Sequence, residues 1–152
     1  MIQRIQTVYL ALAVISLGLM LFMPICWFEL ADTCYTLDIK NLLGSDGSLE
    51  SAKSSTALII LLPVTMLVVV IMLLQYKNRQ RQLAIGRFSY LLIAGLIAAA
   101  MFFIEANKSE GMKIAMYGWG YCAPVAALPF IFLANRSIKK DEELVKSLDR
   151  LR

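Results

Sequence analysis

Three cysteines are the side chains of this chain with the greatest scope for covalent chemistry. Cys26 and Cys34 enclose the stretch WFELADT, and residues 26–39 predict two short extended pieces joined by a polar turn near 31–33. Such a hairpin would bring the two sulfur atoms together, although a disulfide requires Cα atoms within about 7 Å of each other. A Cys26–Cys34 disulfide and two free thiols therefore both stay open. Cys122 is interpreted as a small packing residue.

Other chemically competent groups are scarce in the sequence. Its 152 residues contain no histidine, which removes the commonest metal ligand and the commonest general base near neutral pH. The sequence has no zinc-ligand spacing, glycine-rich phosphate loop or nucleophile motif. It also lacks the Cys-x-x-Cys pair that four-span membrane thiol oxidoreductases use. We therefore predict that the protein is not an enzyme and holds neither a cofactor nor a metal ion.

Long apolar runs must form the elements that position these residues. The chain is 59% hydrophobic and has a mean hydropathy of +0.68, whereas a soluble domain has roughly 45–50% apolar residues. A helix needs about 20 apolar residues to cross a hydrocarbon core, where it pairs its own backbone amides. We predict four transmembrane helices, over residues 8–25, 57–76, 86–104 and 114–133.

The distribution of Lys and Arg predicts how these helices are oriented. With the N-terminus inside, eleven basic residues lie on the inner side and four on the outer side, and basic residues favour the cytoplasm. Both termini are therefore predicted to be cytoplasmic. Because the charges lie in blocks between apolar runs, nucleic acid is excluded as the partner that a net charge of +4 would suggest. The residues that determine this topology are Arg4, Lys77, Arg79, Arg81, Arg87, Arg136, Lys139 and Lys140.

These observations predict an all-α membrane protein with two parts. Residues 1–136 form a four-transmembrane-helix bundle with a short extracytoplasmic loop or hairpin after the first helix. Residues 137–152 form a cytoplasmic C-terminal amphipathic helix. Pairs of small residues four positions apart allow helices to approach closely, either within the bundle or in a homo-oligomer. These pairs are Gly95 with Ala99 and Ala123 with Ala127.

The two ends of the chain resemble a known family. The stretches MIQRIQTVYLALA (1–13) and LANRSIKKDEELVKSLDRLR (133–152) are similar to an uncharacterised family of Bacteroidota membrane proteins, the domain of unknown function numbered 4293. The spacing of the four apolar runs is similar along essentially the full chain. The resemblance implies a four-helix protein of the inner membrane of a Gram-negative bacterium. It implies no activity and no catalytic residues, because the family is named for lacking an assigned function.

The charged terminal segment, SIKKDEELVKSLDRLR, is the candidate functional segment of the chain. If this segment forms a helix, its apolar residues lie along one face of that helix or next to it. Three interpretations stay open: a solvated helix that packs back on its own cytoplasmic loop, a helix that docks into a groove of a protein partner, and a helix on the inner leaflet, where the interleaved acids are unfavourable. The candidate partner-docking residues are Ile138, Leu144, Val145, Leu148 and Leu151.

We predict from this pattern an accessory or interaction subunit that contacts membrane lipid and docks an unidentified protein partner at the cytoplasmic face. The alternative is a small transporter, or a lipid- or small-molecule-binding protein, that uses a cavity between proline-kinked helices. The stretch YGWGY, Tyr117–Tyr121, or the adjacent Pro124 would shape that cavity. No ionisable residue lies deep within a predicted span, which weakens the case for proton-coupled transport.

Overall fold

The computed structural model describes residues 3–30, 33–45, 49–51, 56–76 and 78–149. Within these ranges, helices and strands form a bundle that carries one small sheet. We call the end of the bundle that carries the sheet the sheet end, and the opposite end, where the first and third helices begin, the helical end. The elements are α1 (Gln3–Leu19), β1 (Cys26–Leu30), β2 (Thr33–Leu37), β3 (Asn41–Gly44), β4 (Leu49–Ser51), α2 (Thr56–Leu74), α3 (Arg79–Asn107), β5 (Lys113–Tyr117) and α4 (Trp119–Asp149).

Three helices of the described chain are long and apolar enough to cross a membrane, namely α2, α3 and the part of α4 up to Leu144. The fourth apolar helix, α1, has 17 residues, which is about 26 Å at 1.5 Å per residue. It ends at Leu19, earlier than the predicted first span, and residues 20–24 continue as a turn. Phe22 in this turn is 83% exposed, so the apolar surface continues past the end of the helix.

The bundle buries one apolar face of each helix. Packing joins α1 to α4 and α2, and α3 to α2 and α4, so each helix lies between two neighbours. The buried face of α4 runs along its whole described length at helical spacing. Its members are Ala123, Ala127, Ile131, Ala134, Ile138 and Asp141.

The sheet has five strands in the order β4-β3-β2-β1-β5, with antiparallel pairing throughout. The hairpin predicted after the first helix is confirmed as β1 and β2, while residues 31 and 32 of its predicted turn lie outside the described chain. Alternate residues of β1 point inward, and Cys26 and Phe28 are fully buried while Glu29 is exposed. The inward side chains join the apolar core of the bundle, so the sheet is fixed to the helices.

The prediction of an all-α fold holds only in part, because the described chain is mostly helical but carries this sheet, and the fourth helix begins later than predicted. Residues 113–117 form β5, which pairs with β1, and α4 begins only at Trp119. The periodicity of so short an apolar run does not distinguish a strand from a helix, so residues 114–117 were assigned to the span that follows them. From Trp119, α4 continues without interruption to Asp149, so it includes residues 137–149 of the predicted tail, and the last three residues lie outside the described chain.

Candidate functional site

Polar side chains from three helices meet at the helical end of the bundle. Gln6 of α1 donates a hydrogen bond through Nε2 to Oδ2 of Asp141 on α4, and both side chains are buried. Arg79 of α3 donates through Nη1 to the backbone oxygen of Asp141 at 2.8 Å. A carboxylate buried in an apolar interior requires a hydrogen-bond donor, and here Gln6 supplies it. Asp141 is therefore the residue at which α1, α3 and α4 are joined.

The second helix is tied to the same end through Gln82. This buried residue of α3 donates through Nε2 to the backbone oxygen of Met72 on α2, at 3.1 Å. Asn78 caps α3, because its Oδ1 accepts a hydrogen bond from the backbone nitrogen of Arg81 at 3.3 Å. Capping and cross-helix bonding together fix the turn between α2 and α3. The polar groups of this end thus serve helix packing.

Asp141 lies in the charged terminal segment SIKKDEELVKSLDRLR and is not among the predicted docking residues, yet it is only 7% exposed. A signal is present in the spacing, because Ala134, Ile138 and Asp141 follow each other at intervals of four and three residues. This is the interval of one helix face. An acid at that interval on a buried stripe indicates a partner inside the bundle.

The predicted docking residues of the tail do not share one exposed surface. Ile138 is fully buried inside the bundle, so its assignment to a partner-docking surface is wrong. Leu144 is 48% exposed and lies on the surface of α4. Val145 and Leu148 belong to α4 although their side chains are not described, and Leu151 lies outside the described residues. The first turns of the tail therefore pack on the protein's own helices.

A groove between α3 and α4 at the helical end is lined by several charged side chains. Its volume is about 590 Å³. Three cations and one acid lie along it together with apolar and aromatic side chains. The lining residues are Leu83, Arg87, Tyr90, Phe132, Asn135, Arg136, Lys139 and Glu142.

Gly86 and Asn135 set the separation of α3 and α4 at this groove. A Cβ atom added to Gly86 would lie 2.1 Å from Oδ1 of Asn135, so only glycine allows this approach. Among the described residues, Oδ1 of Asn135 is buried without a hydrogen-bond partner and lies against Gly86. Nδ2 of Asn135 donates to the hydroxyl oxygen of Tyr90 at 3.2 Å. Asn135 therefore fixes Tyr90 in the groove wall.

The predicted topology residues that the structure describes lie together at the helical end. They are Arg79, Arg81 and Arg87 on the first turns of α3, and Arg136, Lys139 and Lys140 on the last half of α4. Arg4 belongs to α1 but its side chain is not described, and Lys77 lies outside the described residues. The cations thus form one basic end of the bundle.

The two cysteines of the predicted hairpin are both free thiols. Cys26 pairs with Leu37, whereas Cys34 pairs with Glu29, so the two cysteines are offset by three positions, about 10 Å along the strands. An odd offset also places their side chains on opposite faces of the sheet. This geometry opposes the disulfide. Burial raises the pKa of the Cys26 thiol to about 11, while Cys34 is exposed.

The two glycines of YGWGY serve a close backbone contact. A Cβ atom on Gly118 would lie 2.0 Å from the backbone oxygen of Pro24, and one on Gly120 would lie 2.5 Å from that of Met23. The Gly118 nitrogen donates to the oxygen of Ile25 at 2.8 Å. The start of α4 is thereby fixed to the segment after α1. Trp119 points outward and is 74% exposed.

Hydroxyl groups inside the bundle are occupied by backbone oxygens. Ser16 of α1 donates to Ala123 on α4 at 2.8 Å, Thr65 donates to Leu61 at 2.7 Å, and Ser89 donates to Ile85 at 2.9 Å. Buried hydroxyl groups paired in this way stabilise helices and helix contacts. They leave these three positions without a free donor for a substrate.

A comparison with models of protein families finds a match over almost the whole chain. The sequence model of a family described as "Domain of unknown function (DUF4293)" matches residues 2–151. No curated protein matches the chain.

Proposed function

Since the chain belongs to the DUF4293 family, whose description assigns no function, we propose that it is a four-span accessory or interaction subunit of the bacterial inner membrane. In this proposal the protein catalyses no reaction. Both termini are cytoplasmic, the sheet is extracytoplasmic, and the end of α4 docks a protein partner.

The proposal of four spans is supported by the surface of the bundle. Large apolar side chains on the outer faces of the helices are half or more exposed, as in a protein surrounded by lipid. Examples are Val8 and Ile15 on α1, Leu67 on α2, and Leu91 and Phe102 on α3. Together with the turn that follows it, α1 is long enough to serve as the fourth span. Basic residues at the helical end favour a cytoplasmic location for that end.

The observation that carries the docking proposal is the length of α4. Its 31 residues correspond to about 46 Å, which exceeds a hydrocarbon core of about 30 Å. The last turns therefore extend beyond the membrane at the basic end. Leu144 is exposed on this extension, next to the charged Glu143 and Lys140. An apolar side chain within a charged helical surface is typical of helix-in-groove recognition.

The orientation is tested with the protein's own exposed thiol. In spheroplasts, a membrane-impermeant maleimide should label Cys34 of a Cys26→Ser, Cys122→Ser variant without permeabilisation. A matched variant that also carries Cys34→Ser and Lys140→Cys should be labelled only after permeabilisation, since Lys140 is exposed at the helical end. The reverse labelling pattern would refute cytoplasmic termini.

Docking is tested by a truncation that leaves the described buried residues of α4 in place. A chain ending after Leu144 retains Ile138 and Asp141, both buried in the bundle, so it should keep its thermal stability in detergent. Crosslinking in native membranes followed by mass spectrometry should recover a protein partner with the full chain and lose it with the truncated one. Leu144→Gln should reduce recovery, and Glu143→Gln at the adjacent exposed position should not. Equal recovery from all four chains would exclude docking through this helix.

The alternative of a transporter with a cavity between proline-kinked helices lacks such support. Pro63 lies within α2, and Pro124 and Pro129 lie within α4. None of the three lines the 590 Å³ groove. The glycines of YGWGY are in contact with backbone, as described above, and so they leave no open space at that position.

A further inference from the structure

We infer that the groove between α3 and α4 binds the headgroup of an anionic phospholipid from the surrounding leaflet. The inference uses the membrane location given under the proposed function but does not depend on partner docking. The ligand is a phosphodiester lipid with a net negative charge, such as phosphatidylglycerol. Its phosphate lies between the arginines of the two helices.

The charges of the groove favour an anion. Arg87 on α3 and Arg136 on α4 line opposite walls, and Lys139 follows Arg136 by one helical turn. Glu142 is the acid of the lining, so the side chains carry a net charge of +2, from three cations and one anion. In the part of the chain that the structure describes, neither Arg87 nor Arg136 forms an ion pair. Their guanidinium groups are therefore available to a ligand.

Arginine is well suited to a phosphate group. Its planar guanidinium donates two parallel hydrogen bonds to one phosphate, which a lysine ammonium does not. Lys139 pairs with Glu143 across 3.9 Å at an exposed position, and a pair of this kind is weak enough to yield to a ligand. The hydroxyl group of Tyr90 accepts a hydrogen bond from Asn135 and keeps its own hydrogen for donation to a phosphate oxygen.

The distribution of polarity along the groove favours a lipid over a soluble anion. Moving from mid-bundle toward the helical end, the α4 wall changes from Phe132 to Asn135 and Arg136, and then to Lys139. Phe132 is 56% exposed, so an apolar surface adjoins the cationic part of the groove. A free phosphate ion would contact only the cationic part. A phospholipid fills both parts, with its acyl chain along Phe132 and its phosphate at the arginines.

The position of the groove at the basic end of the bundle, and its volume, are consistent with a lipid site at the membrane surface. Basic pockets between transmembrane helices on the cytoplasmic side bind anionic lipid headgroups, and a volume of about 590 Å³ lies within the ordinary range of ligand sites. The contact between Gly86 and Asn135 brings α3 and α4 close together next to the positions of the two arginines. The site is therefore preorganised by helix packing and needs no closure of a loop.

Native mass spectrometry of the full chain in a delipidating detergent tests the inference. The probes are a palmitoyl-oleoyl phosphatidylglycerol, the phosphatidylcholine with the same acyl chains, and inorganic phosphate. We expect one phosphatidylglycerol to be retained in preference to phosphatidylcholine, with no binding of inorganic phosphate at matched concentrations. Each arginine near a membrane surface contributes roughly a fivefold effect on affinity. Arg87→Gln with Arg136→Gln should therefore weaken phosphatidylglycerol binding about 25-fold.

Two further variants separate a specific site from general attraction. Lys140→Gln removes an exposed cation of the same end that does not line the groove, and it should change the affinity less than about twofold, because an exposed charge outside the groove is screened by solvent and salt. Arg87→Lys keeps the charge and the fold but loses the bidentate contact, so binding should fall. Equal retention of the two lipids, or equal losses from Lys140→Gln and Arg87→Gln, would overturn the inference. Inorganic phosphate bound as tightly as the lipid would assign the site to a soluble anion instead. None of these outcomes depends on the recovery of a protein partner.

Discussion

The two ends of the bundle are held together by different kinds of contact, by backbone atoms at the sheet end and by side chains at the helical end. At the sheet end, the start of α4 meets the segment after α1 through backbone atoms, with Gly118 and Gly120 at the contact. At the helical end, the side chains of Gln6, Arg79 and Asp141 join the helices. Backbone atoms cannot move without moving the chain, whereas side chains can change rotamer. The sheet end should therefore tolerate substitution less than the helical end.

The largest expected effect comes from Gly118→Ala. The new Cβ would lie 2.0 Å from the backbone oxygen of Pro24, so the strand or the start of α4 must shift. We expect a loss of at least about 3 kcal/mol in the free energy of unfolding, as for severe overpacking. Thermal unfolding in detergent measures it. Gly95→Ala is the matched control, because its nearest neighbour is Leu61 Cδ2 at 3.9 Å. Similar unfolding temperatures for the two variants would show that the close backbone contact at Gly118 does not constrain the sheet end.

A smaller effect is expected at the helical end from Asp141→Ala. It leaves the buried amide of Gln6 without its acceptor, at a cost of about 2–3 kcal/mol. Glu143→Ala removes an acid of the same helix at an exposed position and should cost less than about 0.5 kcal/mol. Chemical or thermal unfolding of both variants measures the difference.

A double variant sharpens this prediction. Gln6→Leu together with Asp141→Leu removes both members of the pair, and it should be more stable than Asp141→Ala, because no buried polar group is left unsatisfied. A double variant less stable than the single one would show that Asp141 acts through groups other than Gln6.

The smallest effect concerns the thiols of the sheet end and should leave stability unchanged. In a Cys122→Ser background, a maleimide at pH 8 should label the exposed Cys34 and spare the buried Cys26. The thiolate is the reactive form, and with a pKa of about 11 roughly one Cys26 in a thousand is ionised at that pH. Labelling of Cys26 should rise toward pH 11 or on unfolding. An electrophoretic shift that depends on reductant would instead indicate a Cys26–Cys34 disulfide.

The sequence was informative where structure depends on local composition. Apolar length located α2 and α3, and the polar interruption between two apolar pieces located the β1–β2 hairpin. Strand β5 was missed because its partner, β1, is 87 residues away, from Cys26 to Lys113. Nothing local distinguishes residues 113–117 from the span that follows. The glycines of YGWGY were noticed as a pattern, but their role depends on a backbone that the pattern does not contain.

The candidate site shows the same limit. Arg87 and Arg136 were recognised as separate contributors to membrane topology. Their convergence on one groove depends on the contact of Gly86 with Asn135, which joins two helices far apart in the chain. Asp141 was hidden among charged neighbours, because its burial requires α4 to continue as a helix through the tail. Composition predicted that basic residues lie at the helical end. Which of them line the groove, and that Asp141 is buried, depends on how the helices pack.

The pairing of β5 with β1 has a consequence for the order of biogenesis. β1 is a central strand of the finished sheet, with β2 on one side and β5 on the other, and β5 is made 87 residues after the start of β1. At translation rates of about 5–20 residues per second, β1 has an unpaired edge for roughly 4–17 s in every new molecule. Unpaired strand edges attract other strands, so this interval is when a nascent chain is most open to a chaperone or to a second copy of itself.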